Sequence, residues 1–294
     1  MDPEKNKLTE TGGTLSPEDY VEPRCVLCGD PYGVTPEVKP VPQQRIIEKL
    51  DDYLSRKDFD GAERHLHYWL EEAGLGQDLR GQLTIRNELI GFYRKQGRKD
   101  DAYENIEAAL RLLEQLGFDG TISSGTTYTN SATAYYTFGD YEASLSCFEK
   151  AKKVYEENDK TDPALSGGLY NNMAPTYVAM KQYDTAEALY EKAMKIMEGV
   201  PGGCLEQAIT CLNIANAKEA ELGIEAAETE IFDLLEKAED LLNQGEKELR
   251  PDGVVHEGYY AFVLESCAPT FSYYGYFLTA DELSRRAKEI YERT

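Results

Sequence analysis

The sequence has few basic residues for its length. Its 294 residues contain 31 Lys and Arg against 54 Asp and Glu, which gives a net charge of −23. Proteins bind nucleic acids largely by neutralising phosphates with Lys and Arg clusters. This charge balance therefore puts DNA, RNA and anionic membrane surfaces at the bottom of the list of partners.

Long hydrophobic runs and disulfide-forming cysteines are also scarce. The chain has no stretch of about 18 apolar residues, and its first residues lack the apolar segment of a signal peptide. We therefore expect neither a membrane span nor export. We expect a cytoplasmic location. The 6 cysteines are too sparse for a disulfide scaffold, so we expect free thiols.

Sequence signatures of catalysis are missing as well. The chain contains no Gly-rich phosphate loop, no nucleophile elbow and no His-Glu-x-x-His motif. Most Asp and Glu residues fall in charged helical segments of the kind that form solvated faces. We predict that the protein is not an enzyme and uses no cofactor.

Residues 1–40 differ from the rest of the chain, because they combine several prolines with polar residues and no sustained periodicity. This composition predicts a polar arm. Cys25 and Cys28 in this arm supply half of the ligands of a closed zinc site. A metal shared between chains, a redox pair and an incidental pair all stay open, and we predict no metal within one chain.

The remaining residues, 41–294, have almost unbroken helical periodicity and no extended strand-like alternation. The aromatic residues Tyr93, Tyr135 and Tyr177 recur at a spacing of 42, each shortly before a turn at Gly97, Gly139 or Lys181. Each interval has room for two helices. The sequence therefore predicts an all-α fold built from helix pairs.

The clearest unit spans residues 169–196, where large and small residues are spaced as two interlocking helices require. These residues are Tyr170, Met173, Ala174, Tyr177, Tyr183, Ala186, Tyr190 and Ala193. The unit resembles the tetratricopeptide repeat, and the same frame fits five other units, of which the fifth has a lengthened turn. The resemblance implies a right-handed superhelical solenoid of about six antiparallel helix pairs. The spacing is similar to that of the kinesin-light-chain branch.

In this family the first helix of each pair lines a concave groove. Asn130, Asn172 and Asn213 are assigned to the same repeat position in consecutive units, at spacings of 42 and 41, with Asn87 and Asn171 one residue earlier. An asparagine side chain complements the backbone amide of an extended peptide. The resemblance implies this use, since such asparagines hold peptides in kinesin light chains and bacterial pheromone receptors. The alternative is a structural ladder between neighbouring repeats.

Other polar and aromatic residues are expected along the same groove. They are Thr133, Tyr136, Asn216, Ser266 and Tyr273, with Arg94 and Lys95 near one end. Pro175 and Pro269 occupy matching Ala-Pro-Thr contexts inside first helices, where a proline removes a hydrogen bond and kinks the helix. The kinks either shape the groove or adjust the superhelix.

These features favour a cytoplasmic adaptor of bacterial type whose groove binds a protein or a peptide. A second hypothesis is a scaffold that self-associates as a homodimer through the tyrosine-rich segments 259–262 and 273–277. In a third, regulatory variant, residues 1–40 occupy the groove until a ligand displaces them.

Overall fold

The computed structural model describes residues 38–249 and 255–293. These residues form twelve α-helices and no strand, so the all-α prediction is confirmed. The helices are α1 (Gln43–Ser55), α2 (Phe59–Leu75), α3 (Leu79–Lys95), α4 (Lys99–Leu116), α5 (Ile122–Thr137), α6 (Tyr141–Glu157), α7 (Pro163–Ala179), α8 (Tyr183–Met197), α9 (Cys204–Leu222), α10 (Ile224–Glu248), α11 (Glu257–Tyr273) and α12 (Phe277–Arg293).

The chain divides into two compact units, one ending at Arg86 and the other beginning at Asn87. In the first unit α1 packs on α2. Buried Asp78 accepts hydrogen bonds from the backbone N–H groups of Val41 and Gly81, each at 2.9 Å. One carboxylate thereby satisfies two backbone donors that the chain would otherwise bury unpaired.

In the second unit the helices pair and stack in chain order. The pairs are α5 with α6, α7 with α8, α9 with α10, and α11 with α12. The second helix of each pair also contacts the first helix of the next, as α6 does with α7. The first helices α5, α7, α9 and α11 contact one another in sequence, and we call their shared surface the first-helix face.

Left-handed residues close the turns between α3 and α4, between α5 and α6, and between α7 and α8. Gly97, Gly139 and Lys181 have φ angles of 69°, 80° and 60°, at the three places where the sequence predicts turns. Glycine reaches this conformation without strain, whereas Lys181 pays a steric cost of about 1–2 kcal/mol. The helices that follow these turns begin at equivalent repeat positions.

The fifth pair differs from the sequence prediction of a lengthened turn. Its helices α9 and α10 are 19 and 25 residues long and are separated by Gly223 alone. Strong helix formers such as Ala, Leu, Glu and Lys fill both segments. The extra residues of this unit therefore extend the helices rather than the turn.

The two interior prolines lie within continuous helices. Pro175 is inside α7 and Pro269 is inside α11. Thr176 next to the first proline is buried, and its hydroxyl lies 3.1 Å from that of buried Ser144 on α6.

Among the described helices, none is long and apolar enough to cross a bilayer.

Candidate functional site

The first-helix face is electrically neutral at its centre. Helices α5 and α7 contain no Asp, Glu, Lys or Arg, although 29% of the chain is charged. The charged residues of these pairs lie on the second helices α6 and α8. A surface of hydroxyls, amides and tyrosines suits an uncharged polar segment and not a polyanion.

Four of the predicted asparagines join successive first helices in pairs. The amide of Asn130 donates to Oδ1 of Asn87 at 3.2 Å, and that of Asn213 donates to Oδ1 of Asn171 at 3.1 Å. Asn87 also donates to Thr127 at 3.0 Å. These bonds match the structural ladder that the sequence left open as an alternative.

The ladder does not use all of the asparagine groups. Within the described residues, the side-chain oxygens of Asn130 and Asn213 accept no hydrogen bond, and both residues are half-buried. Asn172 is exposed and has no hydrogen-bond partner in the described ranges. The pairing therefore orients two amides and leaves part of their hydrogen-bonding capacity for a ligand.

The remaining predicted groove residues are spread over three first helices. Thr133 on α5 and Ser266 on α11 donate their hydroxyls to the backbone oxygens of Thr129 and Phe262, at 2.8 and 2.7 Å. Half-buried Tyr136 packs its ring 6.1 Å from that of Tyr141. Burial raises the pKa of the Tyr136 phenol, so this hydroxyl stays protonated and able to donate.

A cavity of about 580 Å³ opens between α9 and α11 and brings three of the predicted residues together. It is lined by Asn216, Glu219, Ala220, Pro269, Thr270 and Tyr273. Pro269 thus forms part of a wall of the cavity. Asn216 and Tyr273 are both exposed, so the cavity is accessible from the first-helix face.

Tyr273 at the end of α11 and the adjacent Tyr274 hold the carboxylate of Glu219. Tyr273 donates to Oε1 at 2.7 Å and Tyr274 donates to Oε2 at 2.8 Å. Tyr274 also lies 3.0 Å from the Asn216 side-chain oxygen. The hydrogen bond to Glu219 raises the pKa of Tyr273, and burial together with Glu219 raises that of Tyr274. The role of Tyr274 is not predictable from the sequence, in which its only signal is the adjacent tyrosine.

The geometry of stacked helix pairs agrees with the family comparison. Residues 81–157 and 168–200 match models of the tetratricopeptide repeat. The chain is a tetratricopeptide-repeat protein. The matched segments cover α4 to α6 and α8 in full, and most of α3 and α7.

Several solved structures are similar to this tetratricopeptide-repeat chain. A Rap protein complexed with competence and sporulation factor superposes with a TM-score of 0.54 at 15% identity, over 85% of this chain and 64% of that one. This likeness shows the fold. BtubC from P. vanneervenii (17% identity, 85% and 91% coverage, TM-score 0.44) and a tetratricopeptide repeat protein from Parabacteroides merdae (19%, 85% and 91%, 0.40) are also similar. No curated protein matches the sequence.

The cysteines of the tetratricopeptide-repeat units are unreactive by environment. Cys147, Cys204, Cys211 and Cys267 are free and buried. Burial raises the pKa of the Cys267 thiol to about 12, so it is protonated at neutral pH. Cys25 and Cys28 lie outside the described residues. Within those residues, no three His, Cys, Asp or Glu side chains form a metal-binding group.

The neighbouring asparagines of α7 provide a test of the ladder. Asn171→Ala should lower the free energy of unfolding by about 1–2 kcal/mol, because it leaves the Asn213 amide without its acceptor. Asn172→Ala, one residue away on the exposed side, should change it by less than about 0.5 kcal/mol. Urea denaturation of both variants checks this, and equal losses would contradict the ladder.

Proposed function

We propose that this tetratricopeptide-repeat protein is a non-enzymatic protein-interaction adaptor that binds an extended peptide segment along its first-helix face. The observation that carries the proposal is the cavity between α9 and α11, with exposed Asn216 and Tyr273 at its wall. An exposed amide and a tyrosine supply hydrogen-bonding groups and aromatic contact area, which are the means by which peptide backbones and side chains are bound.

The neutral centre of the face supports the same proposal. A segment crossing α5, α7 and α9 meets hydroxyls and amides, including exposed Asn172 and the side-chain oxygens of Asn130 and Asn213, which accept no hydrogen bond from the described residues. These groups pair with backbone N–H and C=O groups regardless of the side chains of the ligand. The Rap protein of the same fold, solved with competence and sporulation factor, is a precedent for ligand binding by this architecture. We also propose a cytoplasmic location, because Cys147, Cys204, Cys211 and Cys267 are free thiols, as is usual in a reducing compartment.

A double variant tests the cavity. Asn216→Ala combined with Tyr273→Ala should weaken peptide binding by about tenfold or more, because an aromatic anchor and an amide are lost together. The probe is a synthetic mixture of seven-residue peptides of Gly, Ala, Ser, Thr, Asn, Leu and Tyr. Peptides retained by the full chain are identified by mass spectrometry, and the affinity of each is then measured by calorimetry.

The matched control replaces an exposed tyrosine and an exposed amide on second helices, Tyr68→Ala with Gln244→Ala. It should bind like the wild type, and thermal melting should show that both double variants are folded. Equal affinity of the cavity variant and the wild type would place the ligand elsewhere. Retention of no peptide by the wild type would reject peptide binding.

Self-association is a second candidate, because one end of the second unit exposes apolar side chains. Tyr273, Phe277 and Leu278 are 65%, 63% and 87% exposed. Tyr260 in the same region is instead buried and bonded to Arg286, so only part of the tyrosine-rich sequence is available at the surface. A mass that doubles with concentration in sedimentation equilibrium would favour this scaffold over the adaptor.

A further inference from the structure

Among the residues that the structure describes, one cation near the end of α3 has no partner. Arg94 is half-buried, yet within the described residues its guanidinium makes no hydrogen bond, ion pair or ring contact. Arg98, four residues later, is bonded to Asp101 at 2.7 Å and packs over the ring of Tyr93 at 4.4 Å. In a chain with 54 acidic residues, an unpaired and partly desolvated arginine is unexpected.

The position of Arg94 links it to the first-helix face. Asn87 on the same helix bonds Thr127 and Asn130 of α5, and Arg94 follows it by seven residues. Two helical turns separate the two positions, so they share the side of α3 that meets α5. Arg94 is therefore placed beside the C-terminal half of α5.

The neighbouring residue shows that α3 also approaches the last helix pair. The Nζ atom of Lys95 lies 5.2 Å from the ring centroid of Phe262 on α11. The end of α3 thus lies within reach of both α5 and α11. A ligand group bound beside Arg94 would be bordered by both helices and only partly solvated, where a charge-assisted hydrogen bond is stronger than in water.

Charge along the face is distributed asymmetrically. Arg94 and Lys95 stand at the α3 end, α5 and α7 carry no charge, and Glu219 stands in the cavity at the α9 end. Burial lowers the pKa of Arg94. The guanidinium has lost part of its hydration, and no opposite charge in the described residues replaces it. An anionic group on the ligand would supply the missing compensation, while a second cation would be repelled.

We propose that Arg94, on α3 at the border of the first-helix face, is an anion-binding subsite that binds a carboxylate of the peptide. This inference rests on the proposed function and adds the chemistry and the orientation of the ligand. A guanidinium offers two parallel N–H donors that match the two oxygens of a carboxylate. The ligand is then a peptide with an uncharged central segment and a carboxylate at the α3 end.

The first experiment needs no peptide. The measurement is an NMR spectrum of the full chain labelled with ¹⁵N. The Nε–Hε signal of Arg94 is assigned as the arginine signal that is absent from the spectrum of Arg94→Met. Sodium acetate should shift this signal saturably, whereas sodium chloride at equal ionic strength should not. Equal, non-saturating shifts with both salts would overturn the anion subsite.

The second experiment compares forms of the same peptide. Peptides with a free C-terminal carboxylate should bind Arg94→Met about tenfold or more weakly than the wild type, with partial recovery in Arg94→Lys. Their C-terminal amides should bind both proteins alike. If amides with one internal Asp also lose affinity in Arg94→Met, a side-chain carboxylate is the anion. Arg111→Met, which removes an exposed arginine on α4, is the control.

Stability separates this subsite from a structural cation. Arg94→Met should melt at or above the wild-type temperature, because it removes an unpaired and partly buried charge. A clear fall in melting temperature without an acetate response would make Arg94 structural and overturn the proposal. If acetate shifts the Arg94 signal but no peptide binds, the proposed function is rejected and the subsite is kept. If peptides bind equally well to the wild type and to Arg94→Met, the subsite is rejected and the proposed function is kept.

Discussion

Phe271→Ala should lower the free energy of unfolding by about 3–5 kcal/mol, the largest stability loss expected from a single side chain in α11. Phe271 is completely buried in the core that α9, α10, α11 and α12 share. Removing its ring loses the transfer free energy of the ring and leaves a cavity that packed helices fill only partly. Losses of this size are a large fraction of the stability of a typical domain.

The control for this variant is Phe277→Ala at the start of α12. Phe277 is 63% exposed, so its removal should change stability by less than about 0.5 kcal/mol. Urea denaturation followed by circular dichroism measures both values. Similar losses for the two variants would mean that the core of the last two pairs is not organised around Phe271.

Gly125→Ala should destabilise the protein by about 1–3 kcal/mol, although alanine is the better helix former. A methyl group on residue 125 of α5 would lie 2.3 Å from Cε1 and 2.8 Å from Cδ1 of Tyr155 on α6. The Tyr155 ring is buried, and its hydroxyl lies 3.2 Å from that of Thr126. The ring has to move, and the α5 and α6 pair has to separate.

Gly168→Ala in α7 provides a control of opposite sign. No atom lies within 4 Å of the position that a Cβ would take there, so the variant should gain about 0.5–1 kcal/mol from helix propensity. Thermal melting of the two variants side by side reports the difference. A gain in both would show that α5 and α6 are not in close contact at this position.

The helical architecture of the protein follows largely from local features of the sequence. The spacing of Tyr93, Tyr135 and Tyr177 predicted the pairs, and the turns fall at Gly97 and Gly139 as expected. These features are predictable because helix periodicity and left-handed turn residues depend on near neighbours in the chain. The one error in the architecture, the turn of the fifth pair, arose where strong helix formers continued both helices up to Gly223.

Which partners the polar side chains bind depends on the tertiary structure. The sequence placed Asn130 and Asn213 on first helices but left open whether they bind a ligand or a neighbouring repeat. Their bonds to Asn87 and Asn171 span 43 and 42 residues, so they depend on how successive repeats pack. A hydrogen bond forms only when donor and acceptor are about 3 Å apart, and composition does not specify that distance.

The sequence by itself determined the helix pairs, the repeat family, the acidic charge and the neutrality of α5 and α7. Only the tertiary structure decided that Glu219 is held by Tyr273 and Tyr274, residues more than 50 positions away. It also decided that Arg94 has no partner within the described residues. The physical reason is that core periodicity repeats along the chain, whereas the pairing of each charged or polar group depends on distances between atoms of different helices.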